Sequence, residues 1–203
     1  MDHRFACEPL RDVSGDMDAL LAACGSRRTA HLARLYGERR EASLNAQRLC
    51  RSLWAELAAR PAEDFRIETD ENGRPFAPEA PAYLSLSHSG GYAAAAASFA
   101  PVGIDLQALR PVSGRVLARR CSDAERAWIS EAPETGRTAR AIRLWTMKEA
   151  YGKMLGVGIF SSASGFSASF AEGQLLLAYD DARFLLPEAP TGYLLTVCLP
   201  PGG

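Results

Sequence analysis

Residues 83–99 read Tyr-Leu-Ser-Leu-Ser-His-Ser-Gly-Gly-Tyr-Ala-Ala-Ala-Ala-Ala-Ser-Phe, and how that stretch divides decides the fold. Tyr83 to His88 alternates, with Leu84 and Leu86 on one face, which is the period of a strand. The run stops at Gly90-Gly91. Residues 92–99 are ambiguous, because alanine favours helix. The flanking glycines, the short length and the strand before them favour a hairpin instead. Val102 to Leu106 reads as a further strand.

Upstream, the first third reads as helical. Leu44, Leu49, Leu53, Trp54 and Leu57 fall near helical spacing between Glu38 and Arg60, and Pro61 ends the run. Phe65 to Thr69 suits a strand, Asp70-Glu71-Asn72-Gly73 a turn, and proline-rich chain follows from Pro75 to Pro81. Downstream, Ser122-Asp123-Ala124-Glu125 is a capping-box pattern that opens a short helix. A longer helix is expected from Arg137 to Leu155, stopped by Gly156 and Gly158. Phe166–Phe170, Leu175–Tyr179 and Tyr193–Leu199 read as strands. Pro101 marks a midpoint. The reading is an α+β fold of two halves, 1–101 and 102–203, each with helices and a small antiparallel sheet.

A formal net charge of −1 excludes a nucleic-acid binder driven by overall electrostatics. The five cysteines are scattered and lack metal-ligand spacing, as expected of reduced thiols in a cytoplasmic protein without a zinc site. Met1 to Leu10 lacks the apolar core of a signal peptide, and no apolar run reaches bilayer-spanning length, so no membrane association is expected. The chain carries 23 lysines and arginines, and Lys148 and Lys153 are the only lysines. Lysine and arginine differ in shape, hydration and pKa, so this placement can be chemical as well as accidental.

Three segments carry the candidate chemistry. Asp105 closes a short apolar strand, where a carboxylate is ordinarily a solvated end or a helix cap. Gln107 shares its face, and two oxygen-bearing side chains on one face could hold a hard cation. Glu149 and Lys153 are four apart on a helix and share a face, either as a surface ion pair or, with Trp145 one turn earlier, on a partly buried face. A buried glutamate needs a partner or a metal. Lys148 lies beside Glu149 around the helix. His88 is either a hydrogen-bonded core histidine or, with Ser87, Ser89 and the backbone of the Gly-Gly turn, part of a phosphate cradle. No G-x-S-x-G or Walker-type loop is present, and the Gly156–Gly158 pair follows a helix rather than a strand.

In order and spacing, Gly73-Arg74-Pro75, Ser87-His88-Ser89, Gly103-Ile104-Asp105-Leu106-Gln107 and Trp145-x-x-Lys148-Glu149-Ala150-x-x-Lys153 resemble the 4'-phosphopantetheinyl transferase superfamily, in its surfactin-synthetase-activating (Sfp-like) class. The last motif is the most specific. The resemblance implies an intramolecular pseudo-dimer with coenzyme A in the cleft between the halves. The implied reaction transfers 4'-phosphopantetheine to a serine of an acyl, peptidyl or aryl carrier protein, as a holo-[acyl-carrier-protein] synthase type enzyme. It implies Mg2+, with Mn2+ as the alternative, held by Asp105, Gln107 and Glu149. Glu149 and Lys153 become the catalytic pair. Arg28, Gly73, Arg74, Pro75, Ser87, His88, Lys148 and Lys153 become the coenzyme A contacts, and a monomer is expected. The basic stretch Arg27, Arg28, His31, Arg34 adds to the phosphate site. Gln107 stands where the family often has Glu, and the family's mid-helix arginine is not evident around Glu41-Ala42-Ser43. The rival expectation, favoured by Gln107, is a catalytically silent coenzyme A- or carrier-binding module.

Overall fold

The computed structural model describes residues 2–157, 169–171, 174–176 and 182–202. A first three-stranded antiparallel sheet has the order β1 (His3–Pro9), β5 (Tyr92–Ser98), β4 (Tyr83–Ser89). A second has the order β6 (Gly103–Ala108), β10 (Tyr193–Leu199), β9 (Arg183–Leu185). Two short pairs complete the strands, β2 (Glu68–Thr69) with β3 (Pro75–Phe76) and β7 (Ser169–Ala171) with β8 (Gln174–Leu176). The helices are α1 (Met17–Ala22), α2 (Ser26–Ala33), α3 (Gly37–Ala58), α4 (Gly114–Arg120), α5 (Asp123–Glu131) and α6 (Glu134–Leu155).

The five alanines explain the layering. β5 is the central strand of its sheet, and Ala93 to Ala97 are all at most 2% exposed. Ala95 and Ala97 meet Leu49, Cys50, Leu53 and Trp54 of α3. Ala94 and Ala96 face the opposite way, onto Ile104 and Leu106 of β6 and Leu195 and Val197 of β10. A strand covered on both faces loses the polar-apolar alternation, and small side chains let both neighbours approach closely. The layer order is therefore α3, first sheet, second sheet, α6. On the outer face of the second sheet, Ala150, Tyr151 and Met154 of α6 pack on Cys198.

The α+β reading and the hairpin at 83–98 are borne out, as are the long helices and the strands at Val102–Leu106 and Tyr193–Leu199 within a residue or three at their ends. The Ser122–Glu125 capping box is present with both of its hydrogen bonds. Three corrections apply. The first third is not purely helical, because β1 pairs with β5. Its sequence hides this, since Phe5 and Cys7 join the core between the sheets while Ala6 packs on the α3 side. Of Phe65–Thr69 only Glu68 and Thr69 form a strand, although Phe65 and Ile67 are buried under α3. α4 and β9 were not foreseen. Of the strands read at 166–170 and 175–179, residues 166–168 and 177–179 lie outside the described residues, as does Gly158.

Candidate active site

A cavity of about 600 Å3 is lined by residues from both halves of the chain. One wall comes from α2, α3, the 72–75 turn and β4, and carries Arg28, Ser43, Arg74, Ser87 and His88. The other comes from β6 and α6, and carries Asp105, Gln107, Trp145, Glu149 and Lys153. Gly73, Pro75 and His31 also line it. The size is that of a typical small-molecule site.

α6 supplies Glu149 and Lys153 because it lies across β6, on the face that carries Gly103, Asp105 and Gln107. Of the two readings of Glu149 and Lys153, the partly buried face holds, and no ion pair joins them among the described residues. Lys153 reaches over to the strand and donates to the Asp105 carboxylate at 2.8 Å and to the Ile104 carbonyl at 2.8 Å. Gln107 Nε2 donates to the other Asp105 oxygen at 3.2 Å, so Asp105 and Gln107 do share one face. Asp105 is 3% exposed and Glu149 6%.

Among the described residues nothing donates a hydrogen bond to the Glu149 carboxylate. Burial first, and then the negative charge of Asp105, push its pKa up to about 7, against a weaker downward pull from Lys153 and Arg120. Two buried carboxylates that repel each other on a cavity wall are short of a cation. Among the described residues no three His, Cys, Asp or Glu side chains converge on a metal site. The set here is two carboxylates and an amide oxygen, all hard donors, which fits Mg2+ or Mn2+.

The raised pKa gives a prediction. The folded protein holds this proton more tightly than the unfolded chain, whose glutamate titrates near 4.5. The cost of the buried charge is therefore absent below that pH and grows as pH rises through about 7. In chelator, Glu149→Gln should match the wild type near pH 4.5. At pH 8 it should be more stable by roughly 3 kcal/mol, at 1.36 kcal/mol per pKa unit. Denaturant unfolding at the two pH values checks it. A stability difference independent of pH would show that the fold does not raise Glu149.

The opposite wall is cationic. Arg28 is 8% exposed, and its guanidinium bonds only neutral oxygens in the described contacts, Gln47 Oε1 at 3.1 Å and Ser43 Oγ at 2.9 Å. Burial pushes its pKa down. Arg74 stacks over Tyr83 at 5.0 Å, and its Nη2 is buried without a hydrogen-bond partner among the described residues. Asp70 holds the turn by accepting the backbone N–H of Asn72 and of Arg74, and Gly73 takes a φ of +86° that favours glycine. His88 is exposed on the cavity wall, with its pKa lowered by the surrounding protein and by Lys153 and Arg28. Cations that lack anionic partners suit a polyanionic ligand.

Two expectations are corrected. Lys148 does not line this cavity. Its ammonium donates to Glu125 at 2.6 Å and to the Arg120 carbonyl at 2.8 Å, on the side of α6 that faces α5. One residue along a helix rotates the side chain by about 100°, which carries Lys148 off the Glu149 face. Glu125 is also the capping-box acid of α5, so Lys148 ties that cap to α6. The Ser87 and Ser89 hydroxyls are likewise engaged, Ser87 with Asp105 and Leu106, Ser89 with Ala108. Sequence reading missed Ser85 and Ser43 altogether. Three serines at period two on a strand edge were the available signal.

A family model described as the 4'-phosphopantetheinyl transferase superfamily matches residues 101–198. The chain is similar to the 4'-phosphopantetheinyl transferase psf-1 of Bacillus pumilus, 36% identical over 135 residues, or 66% of this chain and 58% of that protein. It is similar to the 4'-phosphopantetheinyl transferase Sfp of Bacillus subtilis strain 168, 30% identical over 141 residues, or 66% of this chain and 63% of that protein. The match thus spans less than two thirds of either relative. Among solved structures, the holo-[acyl-carrier-protein] synthase (AcpS) of Thermotoga maritima aligns with a TM-score of 0.40 and 18% identity, over 49% of this chain and 62% of that one. The matched part of the chain is thus similar to the 4'-phosphopantetheinyl transferase superfamily. The relatives named here support an Sfp-like class.

Proposed function

We propose that this chain transfers 4'-phosphopantetheine from coenzyme A to a serine of an apo carrier protein and releases 3',5'-ADP. The observation that carries the reading is the cavity itself, with Asp105, Gln107, Glu149 and Lys153 on one wall and Arg28, Arg74 and His88 on the other. Residues 1–101 and 102–203 act as the halves of an intramolecular pseudo-dimer, and coenzyme A lies between them. Gly73, Arg74 and Pro75 line the cavity wall, and Arg28 and His88 contact the coenzyme A phosphates.

A carrier serine hydroxyl is a poor nucleophile at neutral pH and needs a base. Glu149, or a water it orients, takes that proton. The serine oxygen bonds to the pantetheine-side phosphorus as the bond from that phosphorus to the bridging oxygen of the pyrophosphate breaks. Lys153 stands ready to meet the charge that develops on 3',5'-ADP. Asp105, Glu149 and the Gln107 amide oxygen would hold Mg2+, whose chemistry when bound is to neutralise the pyrophosphate. Among the described residues no helix is long and apolar enough to cross a membrane.

Coenzyme A, Mg2+ and an apo carrier protein are incubated with the chain, and the carrier is weighed. The expected result is a gain of one phosphopantetheine group. A carrier of unchanged mass, with coenzyme A still bound by the protein, would make the chain a silent binding module.

A further inference from the structure

The edge of β4 joins the two sheets through side chains rather than through a backbone ladder. Ser85, Ser87 and Ser89 recur at period two on one face. Their hydroxyl oxygens accept the backbone N–H of Ile104 at 3.0 Å, Leu106 at 3.1 Å and Ala108 at 3.0 Å. These are alternate residues along β6, so the hydroxyls satisfy an edge that would otherwise be unpaired. The three serines are 2%, 7% and 8% exposed. As joints they are equivalent.

They differ in where the hydroxyl hydrogen goes. A serine has one such hydrogen. Ser87 donates it to Asp105 Oδ1 at 2.9 Å. Leu106 N–H, Ser87 Oγ and the Asp105 carboxylate thus form a chain anchored in backbone, in which the hydroxyl rotor is fixed at both ends. Lys153 sits on the same carboxylate, but as a charged donor it opposes a cation there, whereas the neutral hydroxyl orients the carboxylate and leaves its charge intact. Ser85 and Ser89 reach no carboxylate among the described residues.

We propose that Ser87 is a positioning residue that fixes the Asp105 carboxylate for the divalent cation, while Ser85 and Ser89 serve only the joint between the sheets. This rests on the reading of Asp105 as a metal-holding carboxylate. It also reassigns Ser87, because a hydroxyl whose only hydrogen is committed to Asp105 does not donate to a phosphate.

The test compares Ser85→Ala, Ser87→Ala and Ser89→Ala, with Ser87→Thr and Ser87→Cys, and measures Tm and Mn2+ binding by the loss of the free-ion electron paramagnetic resonance signal in the presence of coenzyme A. The three alanine variants should lose similar Tm, since each orphans one N–H of β6. Only Ser87→Ala should also weaken Mn2+, by roughly tenfold, the scale on which partners of metal-holding groups act. Ser87→Thr should restore affinity by returning the hydroxyl, and Ser87→Cys, a weak donor of similar size, should not, which covers the case in which the alanine variant fails to fold. Equal Mn2+ affinity in Ser85→Ala and Ser87→Ala, or no rescue by threonine, overturns the inference. Asp105→Asn separates this from the reading beneath it. If that variant binds Mn2+ like the wild type, the metal site itself is misassigned and the role of Ser87 falls with it.

Discussion

Glu149→Gln should lower phosphopantetheine transfer by about a thousandfold or more while the protein stays folded. On the proposed reading, loss of a general base alone costs on the order of 10^2 to 10^4, and the same change removes one of the two carboxylates proposed to hold the cation. The fold should tolerate it, because the side chain gives up no hydrogen bond among the described residues and glutamine fills the same space. The variant therefore separates chemistry from folding better than a truncation to alanine. Carrier mass followed in a single turnover, with Mg2+ raised to saturation, is the measurement. If saturating metal restores the rate, Glu149 serves the cation and not the proton. If the rate is near normal throughout, Glu149 has no part in the reaction.

Much of this site was legible in the sequence, for identifiable reasons. Asp105 and Gln107 had to share a face because strand side chains alternate, and they do, with the Gln107 amide on Asp105. Glu149 and Lys153 had to share a helix face, and both line the cavity. What periodicity could not supply was partner choice. Lys153 pairs with Asp105 across the helix–strand contact rather than with Glu149 four residues away. Lys148, adjacent in sequence, belongs to a different interface altogether. A motif fixes which residue types occur near one another, but a step of one residue on a helix selects the neighbour. The alanine run was ambiguous for a related reason: a strand buried on both faces shows no alternation, so composition and period gave opposite answers until the turn at Gly90-Gly91 was weighed. β1 is hidden the same way, with Ala6 and its neighbours Phe5 and Cys7 partly buried on opposite sides.

The first residue of the Gly103–Gln107 segment brings the two motifs together. A Cβ placed on Gly103 would overlap the Ala150 carbonyl oxygen of α6 and lie 2.7 Å from the Met154 backbone nitrogen. Both obstacles are backbone, so no side chain can swing aside to make room. Glycine here lets α6 settle onto β6, and that approach lets Lys153 reach the Ile104 carbonyl and Asp105 at 2.8 Å each. Gly103→Ala must push the helix off the strand, and overpacking of this kind costs up to about 3 kcal/mol or more. For a chain of this length that is a fall in Tm of roughly 10 °C, with transfer lost in whatever fraction folds, because the displacement acts on Glu149 and Lys153 directly. Gly136→Ala, in the first turn of the same helix, is the control. Its Cβ would meet Ala132 at an ordinary 3.6 Å, and alanine should stabilise that turn by about 1 kcal/mol. Thermal melts and transfer rates of the two variants side by side decide the matter. If Gly103→Ala melts and turns over like the wild type, α6 does not lie against β6 as described, and the geometry that joins Asp105 to Lys153 fails with it.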